Sequence, residues 1–135
     1  MTFDIAACRV RLHARQAYQY QIREQQRLAV LQSLRDPAQA VFSRFPHIQR
    51  AYLFGSVLRP GALRVTSDID IAIEGRLTAE DYFALWCAWE CVLGYRPIDL
   101  LELDAFAKPN VWYHRGADRL RKLRGALCCV IAMIP

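Results

Sequence analysis

The chain has 135 residues, a formal net charge of +5, an isoelectric point near 9.2 and 54% hydrophobic residues, the size and composition of one globular domain. No stretch is apolar for the roughly 20 residues a membrane span needs, and Met1-Thr2-Phe3-Asp4 has neither the basic start nor the apolar run of a secretion signal, so a cytoplasmic, non-membrane protein is expected. Five cysteines, an odd number without a C-x-x-C pair, argue against a disulfide framework, while the positive balance leaves contact with nucleic acid or an acidic partner open.

In chain order, residues 1–45 form an N-terminal helical segment. From about Phe3 to Leu34 there is no Gly or Pro, and Ile5, Cys8, Leu12, Leu28, Leu31 and Leu34 recur at helical spacing, which predicts one long helix or two in line, stopped by Asp36-Pro37. Arg9, Arg11, Arg15, Arg23 and Arg27 form its polar side and read as a solvated basic face; with Tyr18 and Tyr20 the same side also suits an arm that touches a protein partner or its RNA. A short helix over Ala38 to Arg44 follows, and His13 and His47 read as solvent and loop residues rather than bases.

Residues Ala51 to Phe54 are apolar or aromatic and end at a glycine, the pattern of a buried strand opening into a turn. Gly55 allows close backbone approach to a ligand. A helix starting at Ser56 would add free N–H groups and a hydroxyl suited to an anion such as a triphosphate.

Asp68-Ile69-Asp70-Ile71-Ala72-Ile73 has period two, placing both carboxylates on one strand face and the isoleucines on the other. Like charges that close raise one carboxyl's pKa unless a cation intervenes, and hard oxygen ligands suit Mg²⁺. Alone, such an acid pair also fits a solvated strand end.

Thr78 with Glu80 and Asp81 is a helix start, Gly94 a helix end, and Tyr82, Leu85, Trp86, Trp89, Val92 and Leu93 an apolar stripe that packs on a sheet. Cys87 and Cys91, four apart with no matching pair of ligands, are expected to be buried packing residues. The stretch Arg96 to Leu103 predicts another strand, parallel to the first acid strand because a helix separates them. Its Asp99 would bring a third carboxylate to the pair, giving a site for two metal ions and a nucleoside triphosphate.

The order strand, Gly-Ser, Asp-x-Asp strand, helix, Asp strand resembles the polymerase-β-like nucleotidyltransferases, and more closely the minimal nucleotidyltransferases that act as antitoxins beside HEPN-domain ribonuclease toxins. The matching text is A-Y-L-F-G-S (51–56), S-D-I-D-I-A-I-E-G (67–75), L-T-A-E-D-Y-F-A-L-W (77–86) and P-I-D-L-L-E-L-D (97–104). The resemblance implies an α/β (α+β) fold, a small mixed sheet with helices packed mainly on one face and a long N-terminal helix, as a single domain over 1–135 with its catalytic core at 50–104.

It further implies that Asp68, Asp70 and Asp99 hold two Mg²⁺ ions, with Asp99 also helping to deprotonate the incoming hydroxyl. Gly55 and Ser56 would hold phosphates, with Arg59 or Arg64 neutralising charge by position. The donor implied is ATP, the acceptor a tyrosine of a cognate HEPN toxin, and the result AMPylation that silences the toxin. A nucleotidyltransferase for a small molecule or nucleic acid would keep the same site, and a non-catalytic antitoxin would neutralise by binding.

Two departures from the family stand out. Val57 to Ser67 is one residue longer than the usual spacing, the extra residue falling around Arg59-Pro60-Gly61. Residues 105–135 form an atypical C-terminal segment, with a basic helix-like stretch from Asp118 to Arg124 and an apolar tail from Leu127 to Ile134.

Overall fold

A computed structural model describes residues 3–94, 96–103 and 129–133. The elements run α1 (Ile5–Phe42), β1 (Ile48–Phe54), a 3-10 turn (Gly55–Leu58), β2 (Ile69–Gly75), α2 (Ala79–Leu93), β3 (Ile98–Glu102) and β4 (Cys129–Met133). The basic stretch expected between Asp118 and Arg124 lies outside the described residues.

The four strands form one mixed sheet in the order β3-β2-β1-β4. β1 is antiparallel to both β2 and β4, whereas β2 and β3 are parallel, joined by the α2 crossover that such a pair requires. Part of the apolar C-terminal tail thus pairs with β1. Ile69, Ile71 and Ile73 of β2, Ala51 and Leu53 of β1 and Ile98 and Leu100 of β3 share one core with Leu31, Leu34, Ala38 and Phe42 of α1 and Leu85 and Trp89 of α2. Both helices therefore cover the same sheet face, as the resemblance implies. Phe42 and Trp89 meet at a centroid distance of 5.4 Å, and each fully buried large side chain contributes roughly 1.5–3 kcal/mol.

α1 departs from expectation. Asp36-Pro37 does not stop it; Pro37 sits inside a single helix of 38 residues. A proline within a helix costs roughly 3 kcal/mol. Leu34, Ala38 and Phe42 around it are completely buried, and their packing outweighs that cost by holding the chain helical across the proline. The helix starts at Asp4, whose Oδ1 accepts from the Ala7 N–H at 3.0 Å. Between Ile5 and Ile22 every residue but Ala7 is exposed, a span of about 27 Å at 1.5 Å per residue.

α2 begins and ends where its caps predict. Thr78 Oγ1 accepts from the Asp81 N–H at 3.1 Å, and Gly94 closes the helix in the left-handed conformation. Cys87 and Cys91 are exposed free thiols rather than buried packing residues. Leu85 and Trp89 carry the buried line of this helix, and positions 87 and 91 fall away from it. No helix among the described residues is long and apolar enough to cross a membrane.

Candidate active site

Alternation along the strands separates the acids from the core. With Ile69, Ile71 and Ile73 turned toward the helices, Asp70, Ala72 and Glu74 occupy the opposite face, as do Tyr52 and Phe54 of β1 and Asp99 and Leu101 of β3. The parallel register sets Asp70 directly opposite Asp99, and the antiparallel register sets Asp70 opposite Phe54. Two carboxylates thus stand on neighbouring strands, whose backbones lie about 5 Å apart.

Gly55 completes this arrangement. Its φ of +77° is a left-handed conformation that side chains disfavour, and a Cβ built on it would collide with the Asp70 carboxylate. The turn runs directly along that acid. It is a single 3-10 turn of four residues, closed by the Arg59 N–H donating to Ser56 O at 3.1 Å, and Arg59-Pro60-Gly61 diverts the chain before a longer helix forms. A macrodipole from a long helix at Ser56 therefore plays no part; the turn offers a half-buried hydroxyl and a glycine with no side chain in the way.

Asp68 differs from the other two acids in its exposure. It precedes β2 by one residue and is exposed, whereas Asp70 and Asp99 are half-buried and each already engaged in interactions. Among the described residues no three His, Cys, Asp or Glu side chains stand together as a ready metal site. The backbone on either side of Asp68 is hydrogen-bonded. Ser67 Oγ accepts from the Arg64 N–H at 2.9 Å, the Ser67 N–H donates to Arg64 O at 3.0 Å, and Arg96 Nη1 donates to the carbonyls of Arg64 and Ser67 at 2.9 and 3.2 Å. The Ile69 N–H then donates to Pro97 O at 2.9 Å, starting the parallel ladder. The side chains of Arg59 and Arg64 are exposed, as are His13 and His47.

Three residues of α1 reach the turn, and their role is not apparent in the helical pattern. Arg27, expected on a solvated basic face, is buried, with Nη1 donating to Val57 O at 3.1 Å and Nε to Glu24 Oε2 at 2.9 Å. Glu24 Oε2 also accepts from the Gly61 N–H at 2.8 Å. The Arg27 guanidinium, then the Gly61 amide, hold the Glu24 carboxyl down to about 2. Gly61, at φ +69°, has the Tyr20 ring where a Cβ would be.

Tyr82 of α2 donates from its hydroxyl to Leu100 O at 3.3 Å. Burial, with the charges of Asp99 and Glu102 adding to it, pushes its pKa up, so it remains a neutral donor there. On the acid face Tyr52 donates its hydroxyl to Glu74 Oε2 at 3.0 Å, tying β1 to β2 four residues beyond Asp70.

The chain matches the family described as Polymerase beta, Nucleotidyltransferase over residues 37–115. That span contains the turn and all three acids. No curated protein sequence matches the chain. A chain in a crystal structure of a doubly substituted form of the toxin-antitoxin MntA-HpeT is similar at 21% identity, covering 73% of this chain and 82% of that one, with a TM-score of 0.39.

Proposed function

Because the chain belongs to the polymerase beta nucleotidyltransferase family, we propose that it transfers AMP from ATP to a tyrosine hydroxyl of a cognate HEPN ribonuclease toxin, and so acts as the antitoxin of that pair. The observation that carries the transferase chemistry is the placement of Asp70 opposite Asp99 with Gly55 against Asp70. The antitoxin role and the tyrosine acceptor rest on the motif text shared with the minimal nucleotidyltransferases, in particular G-S at 55–56 and S-D-I-D-I-A-I-E-G at 67–75.

Hard carboxylate oxygens from two strands fit Mg²⁺, which Asp70 and Asp99, together with the exposed Asp68, would hold. Bound there, Mg²⁺ would supply charge neutralisation at the phosphates and at the departing pyrophosphate. The chain's own residues do the rest. Gly55 lets the triphosphate lie along the turn and Ser56 donates its hydroxyl to a phosphate oxygen. The acceptor oxygen attacks the α-phosphorus, the bond to the β-phosphate oxygen breaks, pyrophosphate leaves, and the acceptor's proton passes to the Asp99 carboxylate.

The test is incubation of the purified protein with Mg²⁺, α-labelled ATP and a cognate HEPN toxin. Label on a toxin tyrosine, lost in Asp70→Asn, is expected. Label on RNA or a small molecule instead would reassign the acceptor, and toxin inhibition that survives Asp70→Asn without label would make this a binding antitoxin.

A further inference from the structure

Tyr20, Glu24 and Arg27 lie at i, i+4 and i+7 on α1 and so share one helix face. Together they touch both ends of the segment that begins with the Gly-Ser turn. Arg27 holds the Val57 carbonyl inside the turn, Glu24 holds the Gly61 amide where the loop reverses, and Tyr20 lies over the Gly61 α-carbon. The Glu24–Arg27 pair joins these contacts to each other.

Such contacts are not what a spacer loop needs. Arg59-Pro60-Gly61, where this chain is one residue longer than the family's usual spacing, would otherwise have only the Arg59 and Ala62 backbone bonds within the loop between its buried flanks Val57 and Leu63. A buried arginine donating to a main-chain carbonyl thirty residues away orders the backbone that carries Ser56. The nucleotide end of the loop is thereby set by the helix together with the burial of Val57, not by the polar loop residues alone.

We infer that Tyr20, Glu24 and Arg27 form a latch by which α1 holds the Gly55–Gly61 segment in the shape that receives the triphosphate, making them positioning residues for nucleotide binding. The inference rests on the reading of the Gly-Ser turn as the phosphate site. The latch acts on affinity rather than on the chemical step, since none of its side chains lies among the acids. It also ties the exposed half of α1 to the site, because Tyr20 is the last turn of that half before the helix becomes buried.

The experiment uses the full chain with Mg²⁺ and ATP, comparing wild type with Glu24→Ala, Glu24→Gln and Arg27→Lys. Glu24→Ala is expected to raise the ATP Kd and KM about tenfold or more with kcat within twofold, and to speed exchange of the Gly61 amide while amides of Leu53 and Ile71 stay protected. Glu24→Gln, which keeps an oxygen for the Gly61 N–H, should recover much of the affinity, and Arg27→Lys should fall between. An unchanged KM in Glu24→Ala, or an equal loss of kcat and global stability without a KM change, overturns the latch. A wild-type protein that binds no ATP removes the phosphate-site reading itself, and the latch as a nucleotide device with it, an outcome visible before any variant is made.

Discussion

Gly55 and Asp70 are in direct contact, the glycine α-carbon of the turn lying where any side chain would strike the carboxylate. The turn and the acid strand are therefore one unit. A phosphate held by the turn is automatically beside Asp70, and the spacing between the two motifs along the chain matters less than this contact.

Gly55→Ala should damage both fold and site. The left-handed φ costs on the order of 1–3 kcal/mol for an L-residue, and the methyl must push Asp70 aside. Urea denaturation should show a loss of that order, and AMP transfer should fall further than stability alone explains. An alanine variant with wild-type transfer would separate the turn from the acids.

If Ser56 holds a phosphate oxygen as proposed, Ser56→Ala should remove one charge-assisted contact, a loss of about 1.5–3 kcal/mol in nucleotide affinity. Isothermal titration with a non-hydrolysable ATP analogue in Mg²⁺ measures it. Unchanged affinity would move the phosphate site away from the turn.

Asp99→Asn should uncouple stability from Mg²⁺. If the wild type binds the ion with a dissociation constant near 1 mM, about 5 mM MgCl₂ stabilises it by about 1 kcal/mol, and the asparagine variant should lose that increment. With Asp99 as the proposed general base, transfer should also fall by about 10²–10⁴-fold. A Tm that rises equally with Mg²⁺ in both proteins would place the ion elsewhere.

The Glu24 carboxyl titrates at about 2 instead of its ordinary 4.5, held down by Arg27 and the Gly61 amide. A depressed folded value means that its contribution is fully present above about 4.5, shrinks as pH falls, and is gone below about 2. The stability difference between wild type and Glu24→Gln should be constant from pH 7 to 5 and close between 4.5 and 2. A gap that stays open at pH 2 would assign the difference to packing.

Much of this architecture is written in short-range patterns. Period-two alternation locates β2 and β3 and puts Asp70 and Asp99 on the same side, and Thr78 and Gly94 delimit α2 through hydrogen bonds made within a few residues. Features decided by distant packing are not legible in this way. Pro37 reads as a stop until the burial of Leu34, Ala38 and Phe42 around it is known. Arg27 belongs to a basic helical series by spacing, yet it is buried because a carbonyl thirty residues later needs its donor. The exposure of Cys87 and Cys91 follows from which line of α2 the sheet selects. Asp68 shares a strand face with Asp70 by period, and the strand itself begins one residue later, at Ile69.

Register gives the parallel pairing of β2 with β3 a wider meaning. A slip of one residue would swap every side chain of β3 between faces, sending Asp99 inward among isoleucines and Leu100 outward. Arg96 and Pro97, just ahead of β3, hold that phase, Pro97 O accepting from the Ile69 N–H and Arg96 donating to the carbonyls of Arg64 and Ser67. A single residue added or deleted just before β3 should therefore cost the pairing of Asp70 with Asp99, which makes this short approach to the strand the keeper of the acid register.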